Sequence, residues 1–377
     1  MPKPSVLILS LSPIAADARV LKQVALFASD FEVTTLGYGP HPPGAAEHIR
    51  LPDDVISWKW EPKLVILHAH PATYWNNPAM RWVRRNVPKG RFDVILANDV
   101  EGSGLAHMLR PRFGFHADLH EFSSRLNEND TGWNTHIRPL YEWMVRAHVR
   151  RAASVSTIGD HIAREYERQF SLRDVAVIPN ATPYEPTLAP RGVQEPIALV
   201  HSGAARRERA LEMHIDAAAA AGPSVRLDLY LTQDTTDYYR SLVARADATP
   251  NVRVLPPVPY ADLVRTLNGY DMGLFSLPPI TFNTEWVLPN KFFDFVQARL
   301  GQIIGPSPEM VSILREHDLG LVASDFSTEA LTARIRELTP ESVRAFKANA
   351  HAASRELSAE SYTSAWRTAV DRILQRG

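Results

Sequence analysis

Two stretches put cations where a helix should not want them. In HSGAARRERALEM (201–213) a short apolar strand turns at Ser202 and Gly203, and Arg206, Arg207 and Arg209 crowd what reads as the first turns of a helix. In LPNKFFDFVQARLG (288–301), Pro289 and a candidate cap at Asn290 open a helix that meets Lys291 at once. The N-terminal end of a helix carries roughly half a positive charge, so a cation there is disfavoured by about 0.3–1 kcal/mol. A bound anion reverses that cost. Helix starts offer free N–H groups, and Gly203 permits close backbone approach. A diphosphate is the anion that would use both clusters. The plain alternatives are a solvated basic helix balanced by Glu208 and Glu212, and a surface Lys291 balanced by Asp294.

A third constellation is DLHEF (118–122), where polarity rises at the end of an apolar run. His120 there is a base, a donor to sugar hydroxyls, or a satisfied structural histidine. Asp99, at the end of DVILAND (93–99), is either a site carboxylate or the cap of a helix starting near Gly102. His68 and His70 lack acidic or cysteine partners at ligand spacing, so no metal site is expected. There is no G-x-G-x-x-G after a strand, no P-loop and no G-x-S-x-G elbow, which argues against dehydrogenase, P-loop and hydrolase chemistry.

Elements that could position these groups are legible as period changes. Apolar runs at 5–12, 31–38, 93–99, 115–122, 154–159 and 175–180 alternate with helical patterns, beginning with Val20, Val24 and Phe27 on one face. Residues 40–63 give only loops and at most one strand. ATPYEPTLAPRGVQEP (181–196) reads as a linker. After it the pattern restarts at 197–203, 225–232, 252–258, 271–277, 301–305 and 319–324, and the last helical stretch is long enough to pack back on the first half. The fold class is therefore α/β, with two Rossmann-like domains. Ligands in such sheets bind beyond the carboxyl ends of the strands. Two domains facing a cleft is the expected arrangement. The expected division is 1–185, 186–357, and a returning C-terminal helix at 358–377.

Bulk properties agree with a globular protein that has sizeable cores. Of 377 residues, 45% are hydrophobic and 22% charged, and the net charge of −1 gives no pull toward nucleic acid. The absence of cysteine removes disulfides and thiolate chemistry. The first apolar run is too short for a signal segment, so a cytoplasmic location is the default expectation. YWNNPAMRWVRRNVPKGR (74–91) mixes aromatics with arginines. It is either a surface helix with its aromatics in the core or a peripheral contact for an anionic membrane face.

These residues, in this order, resemble the GT-B nucleotide-sugar glycosyltransferases, in particular the large retaining group that includes bacterial mannosyltransferases. The resemblance rests on DARVLKQVALFASDFEVTTLG (17–37), DVILANDVEGSGLA (93–106), DLHEF, SVSTIGDHIAREY running into VIPNATPY (154–184), LVHSGAARRERALEMHIDAA (199–218), NVRVLPPVPYADLVRTLNGYDMGLF (251–275) and the Lys291 stretch. It implies that Arg206, Arg209, Lys291 and His120 carry transfer. Ser202, Gly203, Val258, Pro259, Glu285, Asn290 and Asp294 would bind the donor, and Asp17, Arg19, Asp99 and Glu121 the acceptor. It also implies a UDP- or GDP-sugar as co-substrate, no metal and no other cofactor. The acceptor would be a glycan, a lipid-linked or a small-molecule hydroxyl, in envelope polysaccharide, glycolipid or secondary-metabolite assembly.

Two departures stand out. Arg209-Ala210 replaces the usual Lys-Gly, and Trp286 rather than an acid lies eight residues before Asp294, with Glu285 one place off. A nucleotide-sugar epimerase of the same fold and a non-catalytic binding protein are the competing readings.

Overall fold

The computed structural model describes residues 3–232 and 235–375; Met1, Pro2, Gln233, Asp234, Arg376 and Gly377 lie outside the described residues. The chain divides into two compact units. The first holds the residues to Pro179, a short return at Thr281–Asn283, and the chain from Tyr362 onward. The second holds Asn180–Ile280 and Thr284–Ser361.

The first unit is built on seven parallel strands: β1 (Ser5–Pro13), β2 (Glu32–Tyr38), β3 (Glu47–Arg50), β4 (Val94–Asn98), β5 (Gly114–Asp118), β6 (Ser154–Thr157) and β7 (Ala176–Val177), in the order β3-β2-β1-β4-β5-β6-β7. Parallel strands are covered on both faces, which is why β1 reads as a nearly unbroken apolar run and Val6 to Leu9 are fully buried. Asp17 caps the helix Ala18–Phe27 by accepting from the backbone N–H groups of Arg19 and Val20, both at 3.1 Å. Val20, Val24 and Phe27 then pack on Val6, Ile8, Val33 and Leu96. The C-terminal helix Ala359–Gln375 joins this core, burying Trp366, Val370 and Ile373 in it.

The second unit repeats the scheme with six parallel strands: β8 (Ile197–Ala204), β9 (Val225–Thr232), β10 (Val252–Leu255), β11 (Met272–Phe275), β12 (Gly301–Ile304) and β13 (Gly320–Val322), ordered β10-β9-β8-β11-β12-β13. Leu199, Leu227, Leu229, Met272 and Ile303 lie in its core. In both units the strand order reverses beside the first strand, between β1 and β4 and between β8 and β11. Open sheets form their ligand crevices at such reversals.

Several boundaries differ from the sequence reading. The helix after β8 starts at Glu212; Arg207–Arg209 form a 3-10 turn and Ala210 is left-handed, with φ 46°. The arginines thus precede the helix they were expected to occupy. Pro289, rather than Asn290, takes the cap position of the helix Asn290–Gln297. Asp99 does not cap a helix near Gly102; the helix Asp99–Leu109 begins at Asp99 itself. The helical stretch that follows β5 is broken into a π-turn (Trp133–Ile137), a helix (Arg138–Ala147) and a 3-10 turn (Val149–Arg151).

Candidate active site

In the second unit, β8 runs out at Gly203, whose φ of 146° lies in the region that disfavours side chains. A Cβ added there would meet Lys291 Nζ at 2.6 Å and Arg209 Nη1 at 2.8 Å. The glycine therefore marks the point on which two cations converge, although the chain supplies them from separate strand–helix junctions. Neither forms an ion pair among the described residues. Arg209 Nη1 is buried with no hydrogen-bond partner. Lys291 lies 5.8 Å from the centre of the Phe275 ring. Burial, then repulsion from Arg209, pushes its pKa down to about 8.

Beneath these cations lie two buried imidazoles that sequence reasoning passed over. The His201 and His214 rings are 5.0 Å apart, and His201 stacks over Phe275 at 6.2 Å. His201 Nδ1 is 3.0 Å from the Leu274 carbonyl, and His214 Nε2 accepts from the Ser276 N–H at 3.1 Å. Burial drives both pKa values down, that of His214 to about 4, so the floor stays neutral under the charged pair. The Ser276 and Ser307 hydroxyls, at the ends of β11 and β12, are buried with no hydrogen-bond partner. A strand-end serine is a weak sequence signal, and these were missed as well.

Other expected donor residues are placed variously. Ser202 is buried beside Gly203, while Arg206, Pro259, Glu285 and Asn290 are exposed and Val258 is half-buried. Asp294 is buried and accepts from Thr182 Oγ1 at 2.6 Å, which anchors the segment entering this unit.

In the first unit, Asp118 ends β5 and is fully buried. Burial would raise its pKa, but Arg19 overrides that and holds the carboxyl well below the usual carboxylate range. Arg19 Nε and Nη2 donate to its two oxygens at 2.8 and 2.7 Å, and Ser156 Oγ donates at 2.7 Å. Arg19 also donates to the Ile178 carbonyl at 2.8 Å and lies 4.8 Å from the Trp366 ring centre. Asp17, besides capping its helix, accepts from Ser12 Oγ at 2.7 Å. Both side chains are thus committed to holding β1, β5 and the first helix together.

His120 and Asp99 stand differently. They follow adjacent strands, both are left-handed non-glycine residues (φ 50° and 60°), and His120 Nδ1 lies 3.1 Å from Asp99 Oδ1. Such conformations cost of order 1–3 kcal/mol each and persist where surrounding structure enforces them. Burial lowers the His120 pKa, but Asp99 and Asp118 outweigh it and raise it to about 10, so the ring is a cation at neutral pH. Asn98 Oδ1, 3.3 Å away, completes its surroundings, and Glu121 is exposed beside it. His68 and His70 are neighbours, yet no group of His, Asp or Glu among the described residues is arranged to hold a metal.

In Pro78–Asn86, Met80 and Val83 are buried and Trp82 is half-buried, while Arg81, Arg84 and Arg85 face outward. No helix among the described residues is long and apolar enough to cross a membrane.

Two doubly wound parallel sheets, one in each unit, give the chain the GT-B fold class. Residues 16–181 match the family model for the glycosyl transferase 4-like domain. Its fold is similar to that of sucrose-phosphate synthase from Thermosynechococcus elongatus (14% identity, 100% of each chain, TM-score 0.72). It is also similar to Anabaena HepE, solved with UDP and glucose (13% identity, 98% of this chain and 100% of that one, TM-score 0.71). A third similar fold is the α,α-trehalose 6-phosphate synthase of Burkholderia multivorans (10% identity, 98% and 99%, TM-score 0.68). No curated protein matches the chain by sequence.

If Gly203 serves close approach of a diphosphate, Gly203→Ala is expected to weaken UDP binding by about tenfold or more, since the methyl group must displace both cations and adopt a strained φ. Isothermal titration reads this, and unchanged affinity would detach the glycine from the site.

Proposed function

We propose that the chain moves a sugar, with retention of configuration, from a nucleoside-diphosphate sugar to an acceptor hydroxyl, in assembly of a glycan, glycolipid or glycosylated metabolite. The diphosphate lies against Gly203, Arg209 and Lys291. One observation carries this reading: two cations are desolvated side by side at Gly203, and one of them keeps a buried N–H group without a hydrogen-bond partner. That arrangement is costly in the empty chain and favourable around an anion. As the glycosidic bond breaks, negative charge grows on the leaving diphosphate, and fixed cations stabilise it most in that state. Charged His120, on the first unit, would donate to a sugar hydroxyl rather than act as a base. A uridine nucleotide is favoured because HepE was solved with UDP.

The test is thermal. At a concentration 100-fold above Kd a ligand adds about 2.7 kcal/mol of stability, so UDP, GDP or ADP should raise Tm clearly in the parent chain and far less in Arg209→Ala. No shift with any of the three would defeat the proposal. Incubation of a UDP-sugar without acceptor separates the epimerase reading, which requires conversion of the donor alone.

A further inference from the structure

Where β8 and β11 part, buried backbone groups lose their ladder partners. Among the described residues the two strands pair at Met272 with Leu199 and at Gly273 with Val200, and no further. Beyond that point β8 continues along β9 to Ala204, and β11 continues along β12 to Phe275. Buried N–H and C=O groups on the parting edges must still be paired. The Phe275 carbonyl turns toward the β12 side, accepting from the Gly305 N–H at 3.0 Å. Neighbouring residues of a strand present their backbone groups to opposite sides, so the Leu274 carbonyl and the Ser276 N–H face the side that β8 has left.

Two imidazoles take the vacated places. His201, on β8, holds Nδ1 3.0 Å from the Leu274 carbonyl. His214, on the helix Glu212–Ala221, accepts from the Ser276 N–H through Nε2 at 3.1 Å. Burial keeps both rings neutral. The charge of Lys291 acts on both in the same sense, as do Arg209 and the His214 ring on His201. A carbonyl only accepts and an amide N–H only donates, so these partners assign the proton of each neutral ring to Nδ1.

The two bonds fall on either side of Phe275. Its ring lies parallel to His201, with 3° between the planes, and its centre is 5.8 Å from Lys291 Nζ. His201 shares a face of β8 with Gly203, two residues on. His214 lies on the helix that follows the Arg207–Arg209 turn. Each imidazole therefore joins β11 to an element that carries the cradle, His201 to the strand of Gly203 and His214 to the helix behind Arg209. Apolar side chains of similar size would fill the same space and leave the Leu274 carbonyl and the Ser276 N–H unpaired, which is the costly state for a buried group.

We infer that His201 and His214 are positioning residues for the anion site: they replace the missing β8–β11 ladder bonds and so hold Phe275, Gly203, Arg209 and Lys291 at the separation a diphosphate requires. This deepens the nucleoside-diphosphate reading of the site and rests on it for the identity of the anion.

Amides of different reach test it. Asparagine sets an amide nitrogen where histidine has Nδ1, and glutamine sets an amide oxygen where histidine has Nε2. His201→Asn and His214→Gln thus keep the two bonds, while His201→Gln and His214→Asn carry the same group at the wrong reach. UDP, GDP and ADP are titrated calorimetrically into the full chain and each variant. For a nucleotide that binds the parent, Kd should rise about tenfold or more in the wrong-reach pair, the factor for one unsatisfied buried backbone group. It should stay within about threefold in the matched pair. A packing role would not produce this order, since the longer amide is the worse one at 201 and the shorter at 214. Long-range proton–nitrogen NMR of the ligand-free chain at neutral pH, assigned by the signal each variant loses, should show both rings protonated on Nδ1. Equal Kd across the variants, a tenfold loss in a folded matched variant, or either ring protonated on Nε2 would overturn the inference. If a wrong-reach variant does not fold, the matched pair and the ring protonation decide. Absence of binding by all three nucleotides in the parent defeats the donor reading and takes this inference with it, whereas binding that ignores every substitution leaves the donor reading standing and removes the inference alone.

Discussion

Lys291→Met is expected to cut sugar transfer by about 10²–10³ while leaving the ligand-free chain at least as stable as its parent at neutral pH. The two effects share one cause. The ammonium is desolvated and repelled by Arg209, so its folded pKa, about 8, lies below its ordinary 10.5. Between those values the unfolded chain binds more protons than the folded one, so stability rises with pH across that window. Below about pH 8 the folded state bears the whole cost of the charged group. Methionine keeps the stem's volume and removes the cost, so the variant should lose the rise between pH 8 and 10.5. It should also lose most of the Tm increase with UDP. Thermal melts across pH, with and without UDP, read all three effects. A variant that melts lower and transfers normally would show Lys291 to be structural. Function here opposes stability, as is common where a site is prepared for a charge that arrives with the ligand.

Arg19→Ala is expected to lower the unfolding free energy by about 3–5 kcal/mol, because it strands the Asp118 carboxylate in a buried site. Arg19 is 5% exposed and Asp118 is 0% exposed, so water cannot replace the lost partner. Arg19→Lys should recover only part of the loss, since an ammonium cannot reproduce the two-pronged contact to both carboxylate oxygens and also reach the Ile178 carbonyl. The acid limb should change too. A carboxyl held below its ordinary range contributes stability above its unfolded pKa and loses it as pH falls. Without Arg19 that contribution disappears, and the variant should show a flatter acid response from a lower plateau. Urea midpoints at several pH values test this. A change of less than about 1 kcal/mol would mean that Asp118 had found water or another donor.

These two residues also mark how far the chain could be read before folding. Lys291 was conspicuous because a cation at a helix start violates a local electrostatic rule, and local rules are visible in one dimension. Arg19 looked like an ordinary polar residue near a helix start, and the resemblance to glycosyltransferases placed it with the acceptor. Its partners Asp118, Ile178 and Trp366 come from remote parts of the chain, so nothing beside it in sequence announced a buried pair. Residues 40–90 resisted for a related reason. Their helices, Pro62–Ile66, His70–Asn76 and Pro78–Asn86, are too short to show a sustained period.

The alternation of apolar strands with helical periods determined by itself that this protein has two parallel α/β sheets, because burial on both faces demands continuous apolar runs. It also showed that cations gather at two strand–helix junctions of the second. Only the tertiary structure decided which of them meet. Arg209 and Lys291 converge on Gly203 while Arg206 stays exposed, and His201 and His214 form the neutral floor. That outcome depends on where strand order reverses and on the left-handed turn at Ala210. Such convergence is set by the packing of elements distant in sequence, which no local pattern encodes.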